Sequence, residues 1–187
     1  MRTLFAAMIS IIISGCMGVP RLVTPVQEFD LENYLGTWYE IARLDHSFER
    51  GLSHVTAVYS LRDDGGINVK NRGYSAAEDE WREAEGKAYF VGSENEGHLK
   101  VSFFGPFYSS YVIFELDHEN YRYAFVSGYN TSYLWLLSRT PTIDETINTE
   151  FIRSAQAGGF DTDKLIFVEQ DETITGGHAS LSSARKQ

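Results

Sequence analysis

The sequence predicts an all-β protein: an eight-stranded antiparallel up-and-down barrel, followed by one C-terminal α-helix and a short final strand. Short runs rich in β-branched and aromatic residues recur along the chain, with turn signals between them. Gly36 and Trp38 begin the first run, and Arg139 ends the last one. These residues can meet only if the sheet closes, so that the guanidinium covers the indole in a cation–π contact. Such a barrel is closed at one end and has the shape of a cup.

The eight strands are expected to follow one another directly, joined by short turns. Residues 63–66 read Asp-Asp-Gly-Gly and predict a tight hairpin, because glycine tolerates positive φ angles. Further turns are expected at 92–97 and 117–120. Consecutive pairing of this kind leaves no exposed sheet edge once the barrel closes. The expected strands are 36–45, 53–62, 66–74, 81–92, 97–104, 109–117, 121–128 and 132–140.

One helix is expected after the eighth strand. Thr142 with Glu145 three residues later resembles a capping box, which predicts the helix start. The glycine pair at 158–159 predicts its end. A short apolar run at 165–168 predicts the final strand.

The eighth strand is expected to present one face to the barrel interior and one to the helix. Trp135 and Leu137 share the face of Arg139, so they are placed inside. Leu134 and Leu136 then face outward and need a cover. The expected cover is the apolar stripe of the helix at Ile147, Phe151 and Ala155.

The N-terminus has the pattern of an export signal. Arg2 precedes an apolar stretch at 4–13, which is shorter than the roughly 20 residues of a membrane span but fits a secretory signal. Residues 13–16 then resemble a bacterial lipobox, which implies cleavage before Cys16 and lipidation of its thiol; the alternative is an ordinary signal peptide with an incidental cysteine. The expected organisation is a signal peptide at 1–15, a tether at 16–28, one domain at 29–170, and a polar, disordered tail at 171–187.

Four stretches occur in a fixed order along the chain: GTWYEIAR at 36–43, YSLRDDGG at 59–66, FFGPFY at 103–108 and LSRTP at 137–141. Together they resemble the lipocalin family, and most closely the bacterial outer-membrane lipocalins. The resemblance covers residues 29–170. It implies a lipocalin barrel that stores or transports lipids for envelope maintenance.

The resemblance also implies a location. Met17, and not Asp, follows the cysteine of the lipobox. By similarity to bacterial lipoproteins, this implies a lipid anchor in the outer membrane, with the protein facing the periplasm.

The expected ligand is a fatty acid or a lysophospholipid, because the inner strand faces suit an acyl chain. Small barrels are also often filled by their own side chains, so a filled-barrel envelope interaction protein without a small-molecule ligand is the alternative; the resemblance favours a cavity. Tyr108 is expected near the mouth, where its hydroxyl can meet a headgroup. Trp38 and Arg139 are expected to close the floor, as structural residues. The expected ligand-binding residues are Tyr59, Leu99, Val101, Phe103, Tyr108 and Trp135.

Several classes of function are disfavoured. The formal net charge of −10 argues against nucleic acid as a partner. The chain has no Gly-x-Ser-x-Gly elbow, no phosphate loop and no HExxH motif, so no enzyme is expected. A rival lipid-acting enzyme would need a nucleophile paired with a base inside the barrel.

The single cysteine of the chain lies near the N-terminus. No cluster of metal-ligating residues is spaced to bind an ion, so neither a metal nor a cofactor is expected. A homodimer formed through the aromatic residues at 103–108 remains a hypothesis.

Overall fold

Eight antiparallel strands close into a barrel, which confirms the predicted fold class. The computed structural model describes residues 17–170, so the predicted signal peptide, Cys16 and the tail at 171–187 lie outside the described residues. The strands are β1 Gly36–Leu44, β2 Leu52–Leu61, β3 Ile67–Ser75, β4 Glu80–Phe90, β5 His98–Phe104, β6 Phe107–Leu116, β7 Tyr123–Ser127, β8 Leu134–Ser138 and β9 Leu165–Phe167. β1 pairs with β2 and β9 on one side and with β8 on the other, and the remaining pairs join consecutive strands.

Two α-helices accompany the barrel in the described residues, and a 3₁₀ turn at Thr162–Lys164 precedes β9. α1, Leu31–Tyr34, precedes β1 and was not predicted; α2, Glu145–Ala157, follows β8 as expected. The predicted capping box is wrong, because Asp144 occupies the N-cap position. The backbone carbonyl of Thr142 instead accepts a hydrogen bond from the Thr140 hydroxyl at 2.7 Å, which keeps Thr142 in the preceding loop.

The outer wall of β8 is covered by α2, as the strand alternation predicted. Leu134 and Leu136 are fully buried in one apolar cluster with Phe151 and Ala155 of the helix, and Ile147 packs at its edge. A second apolar cluster lies inside the barrel. It includes Leu137, and Trp135 packs against it. The two clusters lie on opposite faces of the same wall.

β9 extends the wall where β1 and β2 separate. β2 pairs with β1 only over Gly36–Tyr39, and β9 pairs with Ala42–Leu44. The side-chain amide of Gln170 donates to the carbonyls of Glu40 and Val55, at 2.8 Å each, and so bridges the two separating strands.

The two ends of the barrel differ. α1 lies at one end, here called the closed end, together with the turns at 62–66, 91–97 and 117–122. The opposite end, here called the open end, is formed by the loops at 45–51, 76–79, 105–106 and 128–133.

The segment at 17–28 lies along the outside of the barrel. It starts at the open end, where a Cβ added to Gly18 would lie 3.3 Å from the carbonyl oxygen of Tyr129. Further along, the Val26 N–H donates to the Ile113 carbonyl at 2.9 Å. The expected tether is therefore held against the wall from Gly18 onward. Within residues 17–170, no helix is both long and apolar enough to cross a membrane.

Candidate ligand-binding site

The barrel encloses a cavity of about 590 Å³ that opens at the open end. This volume lies within the range of about 300–1,000 Å³ found for small-molecule sites. The barrel is therefore not filled by its own side chains, unlike the interior that the filled-barrel alternative requires.

The six residues predicted to bind the ligand all border this cavity. Leu99 and Val101 of β5 lie on the inner face and contact the interior cluster. The Phe103 ring turns inward over Gly86, where a Cβ would lie 2.8 Å from the Phe103 Cδ1 atom. A side chain at position 86 would thus displace this ring. Tyr59 lies deep in the cavity, and Trp135 lines its upper wall.

Tyr108 borders the opening, where it was expected, but its ring does not enter the cavity. The ring contacts Tyr89 and lies 5.4 Å from the Lys100 ammonium group. Tyr89 and Lys100 are paired neighbours of Ala88 and Leu99, which face inward, so alternation places them on the outer face. Alternation within β6 agrees, because Tyr111 faces inward and Tyr108 is three positions before it. The deep cavity therefore lies on the other side of the wall from this ring.

The floor of the cavity is formed by three tyrosines that share hydrogen bonds. The Tyr111 hydroxyl lies 2.7 Å from that of Tyr34 and 2.9 Å from that of Tyr59. Burial raises the pKa of all three phenols, so they remain protonated. Tyr34 comes from α1, whose start has a signal in the sequence: the Asp30 side chain accepts from the Glu32 N–H at 2.9 Å, as an N-cap does.

Below the tyrosines, Trp38 and Arg139 close the barrel. The Arg139 guanidinium lies 3.9 Å from the Trp38 ring centroid. It also donates to the carbonyl of Thr37 at 2.8 Å and to that of Asn33 at 2.7 Å. The Trp38 indole N–H donates to the Tyr34 carbonyl at 2.8 Å. These bonds fix α1 across the closed end.

A buried charged cluster lies in the upper wall. The Arg43 guanidinium donates to the Glu40 carboxylate at 2.6 Å and to the backbone carbonyl of Glu49 at 2.9 Å. The second carboxylate, that of Glu49, lies 3.0 Å from His46 Nε2 and accepts from the Trp135 indole N–H at 3.1 Å. Glu40, His46, Glu49 and Trp135 border the cavity. No pattern in the sequence predicted this cluster, because the loop at 45–51 supplies half of it.

The two carboxyl groups of this cluster have opposite pKa shifts. Burial and the nearby charge of Glu49 raise the pKa of Glu40 well above its usual value, despite Arg43. Burial acts to raise the pKa of Glu49 as well, but its hydrogen bonds with His46, Trp135 and Glu40 outweigh burial and lower it. The environment therefore favours the protonated form of Glu40 and the charged form of Glu49.

We expect Glu40→Gln to become more stable than the wild type as the pH rises. The folded pKa of Glu40 is raised, so its burial is penalised increasingly above the unfolded value of about 4.3. Glutamine imitates the protonated acid, since it accepts from Arg43 and donates to Glu49. Urea unfolding at pH 4 and pH 8 measures the difference, which should grow with pH; a difference that is constant with pH contradicts the shift. Glu49→Gln, which removes the acid with the lowered pKa, is the control and should lose stability relative to the wild type as the pH rises.

The Asn71 Oδ1 atom is buried beside the cavity and has no hydrogen-bond partner within residues 17–170. Asn71 pairs with the inward-facing Ala57, so it lies on the inner face of β3. Buried polar groups normally have partners, so this oxygen is available to a polar part of a ligand. Alternation with Val69 on β3 was the signal that would have placed Asn71 inside. Across the described part of the chain, no group of three or more histidine, cysteine, aspartate or glutamate residues is arranged to hold a metal ion.

A β-barrel plugged at one end, with a mainly apolar cavity open at the other, defines the class of cup-shaped barrel proteins. The match to the lipocalin-like domain model spans residues 29–170, and the chain belongs to this family. It is 64% identical over 170 residues to outer membrane lipoprotein Blc of Vibrio cholerae, covering 91% of this chain and 99% of that one. It is 57% identical over 151 residues to outer membrane lipoprotein Blc of Escherichia coli, covering 81% and 85%.

A solved structure gives the same fold. Insecticyanin from the tobacco hornworm Manduca sexta aligns with a TM-score of 0.66 at 21% identity, covering 83% of this chain and 88% of that one. At this identity the likeness concerns the fold alone.

Proposed function

We propose that the protein binds a fatty acid or a lysophospholipid in its barrel cavity, and stores or transports it for maintenance of the bacterial envelope. The observation that carries this proposal is the 590 Å³ cavity, which is closed at the end occupied by Trp38 and Arg139. The protein acts by binding and not by catalysis, as is general for the family to which it belongs.

The acyl chain would lie along the inner faces of β2 and β5. Each methylene transferred from water to this surface contributes about 0.8 kcal/mol. Tyr59, Leu99, Val101 and Phe103 would contact the chain. The headgroup would lie nearer the open end, where Asn71 and the Glu40–Glu49 cluster offer hydrogen bonds. Tyr108 would lie only at the outer edge of the opening.

The protein is attached to the outer membrane through a lipid on Cys16 and faces the periplasm. Two relatives with 64% and 57% identity are named outer membrane lipoproteins. In this proposal residues 1–15 are removed as a signal peptide, and the tail at 171–187 lies outside the binding domain.

We expect Ala57→Phe to lower affinity for lysophospholipid about tenfold or more. Ala57 faces the cavity beside the interior cluster, so a phenyl ring there takes the place of two or more ligand methylenes at about 0.8 kcal/mol each. Quenching of tryptophan fluorescence on titration, with Trp135 beside the cavity, measures the affinity.

Val58→Phe is the matched control, because Val58 is the next residue on β2, points outward and is 38% exposed. Its affinity should equal that of the wild type. Native mass spectrometry of the gently purified wild type should also reveal a co-purified lipid mass. A wild type that stays free of lipid after incubation with fatty acids and lysophospholipids rules out the proposed function.

A further inference from the structure

Three phenylalanine side chains stand exposed around the open end of the barrel. Phe48 of the loop at 45–51 is 68% exposed, and Phe104 and Phe107, on either side of the turn at 105–106, are 73% and 69% exposed. All three border the cavity opening. Grouped apolar side chains that remain exposed on a soluble domain mark a surface for a partner or a membrane.

The chain leads from the same end of the barrel toward the proposed anchor. Gly18 lies against the backbone of Tyr129, which belongs to the open-end loop at 128–133. Cys16 is two residues earlier, a distance that the chain spans in at most about 7 Å. Beyond Gly18, backbone bonds such as that between Val26 and Ile113 hold the segment to the wall. An acyl group on Cys16 would therefore hold the barrel close to the membrane by its open end.

Part of the open-end rim carries no charge. The open-end loops at 105–106 and 128–133 contain no charged residue, whereas the other two loops of this end contain Asp45, Glu49, Arg50, Glu78 and Asp79. The uncharged part of the rim is the part beside Phe104, Phe107 and Tyr129, so an anionic bilayer does not repel the rim there.

From these three observations we infer that the open end of the barrel lies against the membrane leaflet that holds the anchor, with Phe48, Phe104 and Phe107 inserted among its lipids. The inference rests on the proposed lipid anchor and deepens the proposed function. A lipid then enters the cavity directly from the leaflet, without passing through bulk water. The cavity is therefore positioned to take up lipid from the membrane to which the protein is attached.

The test uses the full chain, acylated in cells and reconstituted into vesicles of phosphatidylethanolamine and phosphatidylglycerol that contain nitroxide-labelled lipid. A fluorophore is attached at Thr131→Cys, an exposed position at the open end, or at Glu119→Cys, an exposed position at the closed end. We expect nitroxide to quench the open-end probe several-fold more strongly, because rim residues lie about 5–10 Å into the interface. Equal quenching, or stronger quenching at the closed end, overturns the inference.

Replacing the three phenylalanines with serine should reduce the quenching at Thr131→Cys to that of the closed-end probe. Unchanged quenching in this variant means that the aromatic rim does not insert. Energy transfer between labelled copies, without quenching by nitroxide, assigns the rim to a second copy of the chain instead. Intact mass must show acyl groups on Cys16; their absence removes the anchor and the inference with it.

Failure of the proposed function gives a different result. In that case the wild type binds no lysophospholipid in solution, although the rim probe is quenched in vesicles. Binding in solution without quenching of the rim probe rejects the orientation alone.

Discussion

Trp38→Ala should lower the free energy of unfolding by about 3–5 kcal/mol, the range for removal of a buried large aromatic side chain. The Trp38 side chain is fully buried, and its ring lies 4.8 Å from that of Tyr34. The substitution also removes the bond to the Tyr34 carbonyl and the surface on which Arg139 stacks. The closed end would lose the contacts that hold α1, and the floor of the cavity would open. Urea denaturation followed by circular dichroism measures the change.

Trp81→Ala is the matched control, since Trp81 is also a tryptophan covered by a guanidinium, that of Arg72 at 3.9 Å. Trp81 is only half-buried, so its replacement should lower the free energy of unfolding by about 1 kcal/mol. If both variants lose the same free energy of unfolding, the contacts of Trp38 at the closed end stabilise the fold no more than the exposed stacking of Arg72 on Trp81 does. Ligand affinity should fall in Trp38→Ala and remain unchanged in Trp81→Ala.

Contacts between strands were accessible from the sequence where alternation and motif spacing agree. Trp38 and Arg139 are about a hundred positions apart, yet a closed barrel leaves few places where they can lie. Alternation likewise placed Leu134 and Leu136 under α2 while Trp135 faced inward. Regular backbone makes such inferences possible because each side chain's face follows from its position in the strand.

Irregular backbone is where prediction from the sequence failed. Tyr108 was treated as part of a turn at 103–108, but β6 begins at Phe107, so alternation with the inward-facing Tyr111 leaves the Tyr108 ring on the outer face. α1 has only four residues, too few for helical periodicity to emerge, so Tyr34 and the tyrosine floor were missed. The charged cluster depends on the path of the loop at 45–51, which returns His46 and Glu49 to the wall.

The same loop makes Arg43 the second position of large expected effect. The Arg43 side chain is almost fully buried, and besides Glu40 it binds the backbone carbonyls of Glu49 and Leu52, at 2.9 and 3.0 Å. Arg43→Met therefore leaves a buried acid and two carbonyls without their donor. Removing one partner of a buried ion pair destabilises a protein by about 3–5 kcal/mol, and we expect a loss in this range.

The loss in Arg43→Met should increase between pH 5 and pH 8. Arg43 is the group that opposes the raised pKa of Glu40, so without it the folded pKa rises further. A carboxyl group with a raised folded pKa makes folding less favourable as the pH increases above its unfolded value. Hydrogen exchange should also accelerate in the loop at 45–51, which carries part of the cavity rim.

Arg50→Met provides the control, because it makes the same substitution in the same loop. Arg50 forms an ion pair with Asp45 at 2.9 Å, but its side chain is 65% exposed. Exposed pairs contribute about 0–1 kcal/mol, so the control should remain near the stability of the wild type at both pH values. A similar small loss in Arg43→Met would mean that the buried cluster does not hold the loop. A large, pH-dependent loss of stability in Arg43→Met but not in Arg50→Met would establish that the buried cluster holds the loop at 45–51, and with it part of the cavity rim, in place. The carboxyl groups of this cluster also border the cavity.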